Sequence, residues 1–314
     1  MVKHQELEYT GKTQPEPGLW YEPIRRKIYP YYPSEALKEA VNLAISLKMP
    51  LLLEGEPGCG KSRLAHALIY EFSQRYGKGE WGYEFWNIQS TTKAQDGFYT
   101  YDYIGRLQAA QLQKEDIIDP ERNPANPENF VIEGVLQRAF EEKQYRTVVL
   151  IDEIDKADRD FPNDLLLAIE ERRFYIKETQ NWIEADEETL PIILITSNQE
   201  QSLPSAFLRR CLYHYIEFPT SEQLIDIVRG HFPKSPSEVV NRAIERFLEL
   251  RDEMEADKSE NEKKISTSEL LVWFQALNRY PAEKILAKLK QNQLPHPEAL
   301  LKTRSDLIAY TDGA

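Results

Sequence analysis

An eight-residue segment between an apolar run and a helical stretch constrains the fold of this chain more than any other feature. Residues Gly55–Ser62 read Gly-Glu-Pro-Gly-Cys-Gly-Lys-Ser, and they follow the apolar run Leu51–Leu53. In this pattern the glycines let backbone N–H groups turn toward phosphate oxygens, and the helix that begins at the lysine adds its N-terminal dipole. The lysine binds the β- and γ-phosphates, and the serine hydroxyl ligates Mg²⁺. The segment therefore predicts a nucleotide-phosphate site between a buried strand and a helix.

The nucleotide contacts expected from this segment extend one residue beyond it. They are Gly55, Glu56, Pro57, Gly58, Cys59, Gly60, Lys61, Ser62 and Arg63. Ser62 is also expected to be a Mg²⁺ ligand. The alternative, a tight turn with an unrelated lysine, is disfavoured because the segment lies between a strand and a helix.

A second buried run ends in two acidic residues. Residues 147–151 are Thr-Val-Val-Leu-Ile, and Asp152 and Glu153 follow them. A carboxylate at such a strand end can hold Mg²⁺, and the next one can act as general base toward an attacking water. The same dipeptide can also be an ordinary polar strand end. With the phosphate-loop pattern upstream, we expect Asp152 to ligate the metal and Glu153 to be catalytic.

Two further segments supply candidate catalytic groups. Asn198 follows the apolar run at residues 193–195, and its amide could orient the attacking water, although asparagine is also a common turn residue. Residues 203–211 predict a short helix that ends in Arg209 and Arg210. An arginine from a neighbouring subunit can stabilise the γ-phosphate charge in the transition state. The same arginines could instead complement the helix dipole.

The remaining pattern alternates strands with helices and then becomes helical. Apolar spacing predicts helices at residues 34–49 and 61–76, with strands at 51–53, 83–89, 147–152, 192–196 and 213–218. After Pro219 it predicts helices at 221–232, 237–254, 267–278, 282–291 and 297–310, with a solvated charge-rich stretch at 251–264. This order indicates an α/β fold with a parallel sheet covered by helices on both faces, followed by a helical domain.

The order of the four motifs resembles that of the AAA+ ATPases, and within them the MoxR-like family, over roughly residues 34–290. The resemblance implies a P-loop NTPase core at residues 34–220 and an α-helical lid at 221–314. Residues 1–33 are rich in proline, tyrosine and charge, which favours extended or turn conformations and predicts a leader before the core. The resemblance implies ATP and Mg²⁺ as cofactors, Walker A and B roles for Lys61, Ser62, Asp152 and Glu153, and the sensor 1 role for Asn198. It also implies a hexameric ring with Arg210 as arginine finger, and Arg209 as the alternative.

The resemblance also extends to two inserts, near residues 96–130 and 174–190. Aromatic residues from Phe98 to Tyr103 could grip a polypeptide in a ring pore, or they could pack on their own domain. One position departs from the family, because Ser268 stands where a sensor 2 arginine is expected. Lys263, Lys264 and Arg279 are the candidate replacements.

The amino-acid composition of the chain disfavours several classes of function. The formal net charge of −13 argues against a protein whose main task is to hold a nucleic-acid backbone. Two distant cysteines and the absence of a long apolar run predict a cytoplasmic protein with no disulfide framework and no membrane span. We expect a chaperone-like ATPase that remodels a protein partner, which the resemblance suggests is a von Willebrand factor A domain protein. The alternatives are a DNA-associated motor and an ATP-dependent assembly switch in signalling or defence.

Overall fold

The computed structural model describes residues 7–77, 81–115, 119–158, 161–258 and 264–311. They form two compact units. The first contains the described parts of residues 1–9, 36–54 and 72–214, and the second contains those of 10–35, 55–71 and 215–314.

The β-strands lie mainly in the first two thirds of the chain. They are β1 (Leu19–Tyr21), β2 (Arg26–Ile28), β3 (Leu51–Gly55), β4 (Tyr83–Asn87), β5 (Tyr99–Tyr101), β6 (Val131–Glu133), β7 (Val148–Asp152), β8 (Arg173–Ile176), β9 (Asn181–Glu184), β10 (Ile192–Ser197) and β11 (Leu212–Ile216).

The helices flank these strands and then follow them. They are α1 (Glu35–Leu47), α2 (Lys61–Arg75), α3 (Ala94–Phe98), α4 (Tyr103–Lys114), α5 (Val135–Glu141), α6 (Phe161–Glu171), α7 (Ser205–Leu208), α8 (Ser221–His231), α9 (Ser237–Asp257), α10 (Thr267–Leu277), α11 (Ala282–Lys290) and α12 (Arg304–Thr311).

A five-stranded sheet has the order β11-β3-β10-β7-β4. β10 pairs in parallel with β3 and with β7, and β4 pairs in parallel with β7. β7 and β10 are apolar along almost their whole length because helices cover parallel strands on both faces. Since parallel strands run in one direction, β3, β7 and β10 end at the same edge of the sheet. The predicted α/β fold with a parallel sheet and a helical C-terminal region is confirmed.

The core of the first unit lies between this sheet and helices α3, α5 and α6. Leu52, Val149 and Ile195 belong to it on three neighbouring strands, and Phe140 and Leu165 belong to it on two of the helices. Two small antiparallel sheets also belong to this unit: β5 pairs with β6 across a connection that contains α4, and β8 pairs with β9 in a hairpin. β5 lies within the first predicted insert, near residues 96–130, and β6 follows directly after it; β8 and β9 lie at the second, near residues 174–190.

The second unit has its own helical core. Its largest fully buried side chains include Trp273, Phe247 and Phe274, from α9 and α10. The Trp273 indole donates to the carbonyl oxygen of Pro295 at 2.6 Å, which satisfies the only polar atom of this buried side chain. The early part of the chain contributes the antiparallel β1–β2 hairpin to this unit.

Two sequence predictions for the second unit are wrong. A single helix over residues 297–310 is interrupted, because a 3₁₀ turn at Pro297–Ala299 is followed by the buried Leu300 and Leu301 before α12 begins. The Lys302 ammonium closes that turn by donating to the carbonyl of Ala299 at 2.6 Å. The charge-rich stretch at 251–264 is not solvated throughout, since Arg251 and Met254 are buried.

Within the described ranges, none of the helices combines the length and the apolar character needed to cross a membrane.

Candidate active site

The phosphate loop follows β3 and lies in the second unit, and its glycines adopt conformations that other residues avoid. Gly58 has φ +81°, and a Cβ there would lie 2.3 Å from the hydroxyl oxygens of Ser266 and Ser268. Gly55 has φ +152°, and a Cβ there would lie 2.7 Å from the carbonyl oxygen of Ile216. The sequence pattern therefore reflects both backbone conformation and close packing around the loop.

Lys61 is held by the loop itself. Its side chain is buried at the start of α2, and Nζ donates to the carbonyl oxygens of Gly55 at 2.7 Å and Glu56 at 3.1 Å. Nζ also lies 3.9 Å from the sulfur of Cys59, whose pKa is raised by burial. The lysine charge is thus oriented by two backbone carbonyls within the phosphate loop.

Two residues continue the loop into α2. Ser62 and Arg63 occupy the first turn of the helix, and the Arg63 guanidinium lies 5.6 Å from the centroid of the Tyr29 ring. Tyr29 stacks in turn on His231 with ring centroids 4.5 Å apart. Arg63 is therefore packed against an aromatic pair of the second unit.

A residue that sequence reasoning missed contacts the loop from α9. Arg251 Nη2 donates to both carboxylate oxygens of Glu56, at 2.8 and 2.9 Å. The available signal was helical spacing, because Phe247, Leu250 and Met254 place position 251 on the buried face of α9.

The acidic residues lie in the first unit, at the end of β7, and Thr196 of the neighbouring β10 connects them. Thr196 Oγ1 donates to Asp152 Oδ1 at 2.6 Å and accepts from the backbone N–H of Glu153 at 2.9 Å. Glu153 adopts a left-handed backbone conformation with φ 61°, which costs about 1–3 kcal/mol in a residue other than glycine. The Thr196 contact holds this strained turn. Thr196 was not among the predicted site residues.

Asn198 and Glu153 are brought together at this edge. Asn198 Nδ2 donates to Glu153 Oε1 at 3.4 Å, and Lys156 Nζ donates to Glu153 Oε2 at 2.7 Å, an ion pair that raises the pKa of Lys156. Asp155, another residue missed from sequence, is buried and accepts from the backbone N–H groups of Asn198 and Glu200 at 3.1 and 2.9 Å. Asp155 therefore positions Asn198 through its backbone.

The two arginines after α7 differ in their surroundings. Arg210 Nε donates to Glu170 Oε2 at 2.8 Å. Arg209 is exposed and forms no side-chain hydrogen bond or ion pair with any residue that the structure describes. Both side chains are accessible enough to reach another molecule, and Arg210 would have to leave Glu170 to do so.

The candidates for the sensor 2 role are spread over the second unit. Ser268 lies against Gly58 at the first turn of α10, whereas Arg279 follows the last turn of that helix, about 16 Å away at 1.5 Å per residue. Lys264 pairs with Glu255 at 3.7 Å. Lys263 lies outside the described residues.

The insert aromatics divide into buried and exposed groups. Phe98 and Tyr99 are buried and pack on Phe174, with ring centroids 5.0 and 6.4 Å from it. Tyr103, at the start of α4, is 64% exposed, and its hydroxyl donates to Glu178. The exposed side of this insert is therefore α4 rather than the start of the aromatic run.

The donor atoms suit Mg²⁺ bound with a nucleotide. No group of three or more His, Cys, Asp and Glu side chains that could hold a metal ion occurs among the described residues. Mg²⁺ in nucleotide sites keeps several waters and takes one or two protein oxygens together with phosphate oxygens. The Ser62 hydroxyl in the second unit is an oxygen donor of this kind, and so is the Asp152 carboxylate in the first unit.

Comparison with protein families gives a match to the central part of the chain. The sequence model described as AAA domain (dynein-related subfamily) matches residues 50–211, which is more than half of the 314 residues. Among curated proteins, none matches the chain.

The solved structures compared with this chain have low sequence identity to it and low TM-scores. A candidate ATPase from Cytophaga hutchinsonii is 15% identical with a TM-score of 0.42, over 70% of this chain and 63% of that one. A RuvB variant from Thermotoga maritima is 16% identical with a TM-score of 0.42, over 86% and 75%. PCH-2 from C. elegans is 15% identical with a TM-score of 0.41, over 77% and 61%. The chain thus spans less than two thirds of the first and the third of these.

Proposed function

The chain belongs to the AAA domain family, dynein-related subfamily, and on that premise we propose that it is a Mg²⁺-dependent ATPase. The observation that carries the proposal is the phosphate loop, in which Lys61 is buried and oriented by the carbonyl oxygens of Gly55 and Glu56. A buried ammonium beside glycine-rich backbone suits a polyphosphate. The narrower assignment to MoxR-like proteins is part of this proposal.

In this proposal the phosphate loop binds the nucleotide, and the acidic strand edge supports hydrolysis. The acidic strand edge consists of Asp152 and Glu153 at the end of β7 and Asn198 after β10. The backbone N–H groups that residues 55–62 carry and the Lys61 ammonium would bind the phosphates. Mg²⁺, when bound, would supply neutralisation of the charge that develops on them. Ser62 and Asp152 are the proposed protein ligands of Mg²⁺. Glu153 accepts a proton from the attacking water, and Asn198, 3.4 Å from Glu153, orients that water through its amide.

We propose that the active form is a ring, in which residues 34–220 form the ATPase core and 221–314 the helical lid. Arg210, or else Arg209, would act on nucleotide bound by the neighbouring subunit, since both follow α7 with exposed side chains. A hexamer is the proposed stoichiometry. Sedimentation of the Glu153→Gln variant with Mg-ATP should give a hexamer, and a monomer under saturating ATP would contradict the ring.

The proposed use of hydrolysis is the remodelling of a protein partner. Tyr103, Ile104 and Leu107 on α4 are 64%, 71% and 62% exposed, and large apolar side chains so exposed suit a protein partner. The net charge of −13 disfavours a nucleic-acid backbone in that role. A von Willebrand factor A domain protein is the proposed class of partner. Both cysteines are free thiols, which suits the proposed cytoplasmic location.

Phosphate release from ATP tests the catalytic proposal. The purified protein should release phosphate with Mg²⁺ and stop when the metal is chelated. Because turnover in a ring can depend on protein concentration, the assay is run at several concentrations. Absence of both ATP binding and turnover at all of them would contradict the proposal. Stimulation by duplex DNA rather than by a protein partner would contradict the remodelling role.

A further inference from the structure

The guanidinium of Arg251 is an enclosed charged group beside the phosphate loop. Its side chain is 5% exposed. Nη1 donates to the carbonyl oxygen of Ile265 at 2.6 Å, and Nη2 donates to both oxygens of Glu56 and lies 3.1 Å from Glu255. The guanidinium carbon lies 3.6 Å from the centroid of the Phe218 ring. These contacts together hold the guanidinium of Arg251 in one position beside the loop.

Glu56 connects this arginine to the nucleotide site, because it pairs with Arg251 and belongs to the phosphate loop. Its carbonyl oxygen accepts from Lys61 Nζ at 3.1 Å and from the Cys59 N–H at 3.2 Å, so its backbone forms the turn that orients the phosphate-binding lysine. Its side chain adds a carboxylate to a loop that binds a polyanion. An unpaired carboxylate there would repel the phosphates and attract the Lys61 ammonium away from them.

We propose that Arg251 is a positioning residue that neutralises the Glu56 carboxylate and thereby keeps the phosphate loop able to accept a polyanionic nucleotide. The inference rests on the proposed function, since it concerns nucleotide affinity at the same loop. Arg251 acts through Glu56 and needs no contact with the nucleotide. It also makes nucleotide affinity depend on α9, so the helical region tunes the loop through one ion pair.

A matched control exists on the same helix. Arg246 is also buried, with a side chain 6% exposed, and it pairs with Glu249 and Glu253, which both belong to α9, at 3.5 Å. Replacing either arginine removes a buried cation from α9. Only the replacement of Arg251 leaves a loop carboxylate without this partner.

Titration calorimetry with Mg-ATP on the full chain tests the proposal. Arg251→Met should raise the Kd about tenfold, because one unit of negative charge is restored beside the phosphates. Arg251→Met with Glu56→Gln should return the Kd to within threefold of wild type. Glu56→Gln alone should lower the Kd threefold or more. Arg246→Met should change the Kd less than twofold, whatever its effect on thermal stability.

The double variant separates this role from a structural one. A purely structural arginine would make the double variant bind as weakly as Arg251→Met or more weakly, and that result overturns the inference. If Arg251→Met does not fold, Glu56→Gln alone decides, since a Kd equal to or above that of wild type contradicts charge neutralisation. If wild type and Arg246→Met do not bind ATP at all, the proposed function fails instead.

Discussion

The phosphate loop and the acidic strand edge are built in opposite ways. The loop is one continuous segment, and its key cation is oriented by backbone carbonyls of Gly55 and Glu56. The edge combines the ends of two strands, and side chains hold it together: Thr196 connects Asp152 to the Glu153 backbone, and Asp155 holds Asn198. The orientation of Lys61 therefore relies on main-chain groups, whereas the positions of the catalytic groups at the edge rely on the side chains of Thr196 and Asp155.

The largest effect is expected at the loop. Lys61→Ala removes the side-chain cation that the loop orients, and charged hydrogen bonds contribute about 1.5–3 kcal/mol each. Because the ammonium is expected to bind both the β- and the γ-phosphate, kcat/KM for ATP should fall about 10²- to 10⁴-fold, and ATP binding should weaken with it. Steady-state kinetics and calorimetry measure both quantities.

Lys48→Ala is the control for that effect. Lys48 donates to the carbonyl of Glu187 in the first unit, and it precedes β3, whereas the loop follows the opposite end of that strand. Its replacement should leave ATP affinity unchanged. If Lys61→Ala and Lys48→Ala bind ATP equally well, the loop is not the nucleotide site.

A smaller effect is expected at the edge. Thr196→Val keeps the shape of a buried side chain but removes the hydroxyl that serves both Asp152 and the Glu153 N–H. Leaving buried groups unsatisfied costs about 1–3 kcal/mol, so kcat should fall about tenfold while ATP affinity changes little. The split between kcat and KM tests whether side chains position the edge.

Thr147→Val is the matched control for Thr196. Thr147 is buried and precedes β7, at the opposite end of the strand from Asp152. Its replacement should lower stability without lowering kcat. Equal reductions of kcat in both variants would mean that Thr196 acts only through fold stability.

These two regions also differ in how far the sequence predicts them. The loop is predictable because its chemistry lies in eight consecutive residues next to a strand and a helix. Asp152, Glu153 and Asn198 are predictable as strand ends, but Thr196 and Asp155 gain their roles from the pairing of β7 with β10. That pairing joins residues more than 40 positions apart, and no local pattern encodes it. Arg251 was missed for the same reason, because its partner Glu56 is 195 residues away.

The helical region also shows where prediction from local sequence patterns fails. Apolar spacing located α8 to α11 within a few residues because each helix buries one face. The same spacing continues through Leu300 and Leu301, which are buried in a non-helical segment, so it overpredicted a helix at 297–310. Periodicity reports burial, and burial alone does not distinguish a helix from a packed loop.

The remaining prediction concerns the pH dependence of stability in the second unit. The pKa of His66 and of His231 is lowered to about 4, mainly because both rings are buried. The charges of Arg26 and Arg63 contribute to this shift for His66, and the charge of Arg63 contributes to it for His231. The unfolded chain binds these protons near pH 6.5 and the folded chain does not. Stability is therefore full above pH 6.5 and falls as the pH decreases toward 4, by about 2 kcal/mol per histidine between pH 7 and 5.

Urea unfolding at pH 7 and pH 5 measures this decrease. His231→Phe keeps a ring to stack on Tyr29 and removes the titration, so its unfolding free energy should fall less between the two pH values. An unchanged pH dependence in that variant would show that His231 is not buried in its neutral form.

The fate of bound ATP in the Glu153→Gln variant tests the central claim most directly. A general base contributes about 10²- to 10⁴-fold to rate, and the variant leaves the loop intact. After incubation with Mg-ATP and rapid desalting, the bound nucleotide is extracted and separated by chromatography. The variant should retain intact ATP while wild type retains ADP. An equal ADP fraction in both proteins would contradict the claim that the loop binds ATP and the acidic strand edge hydrolyses it.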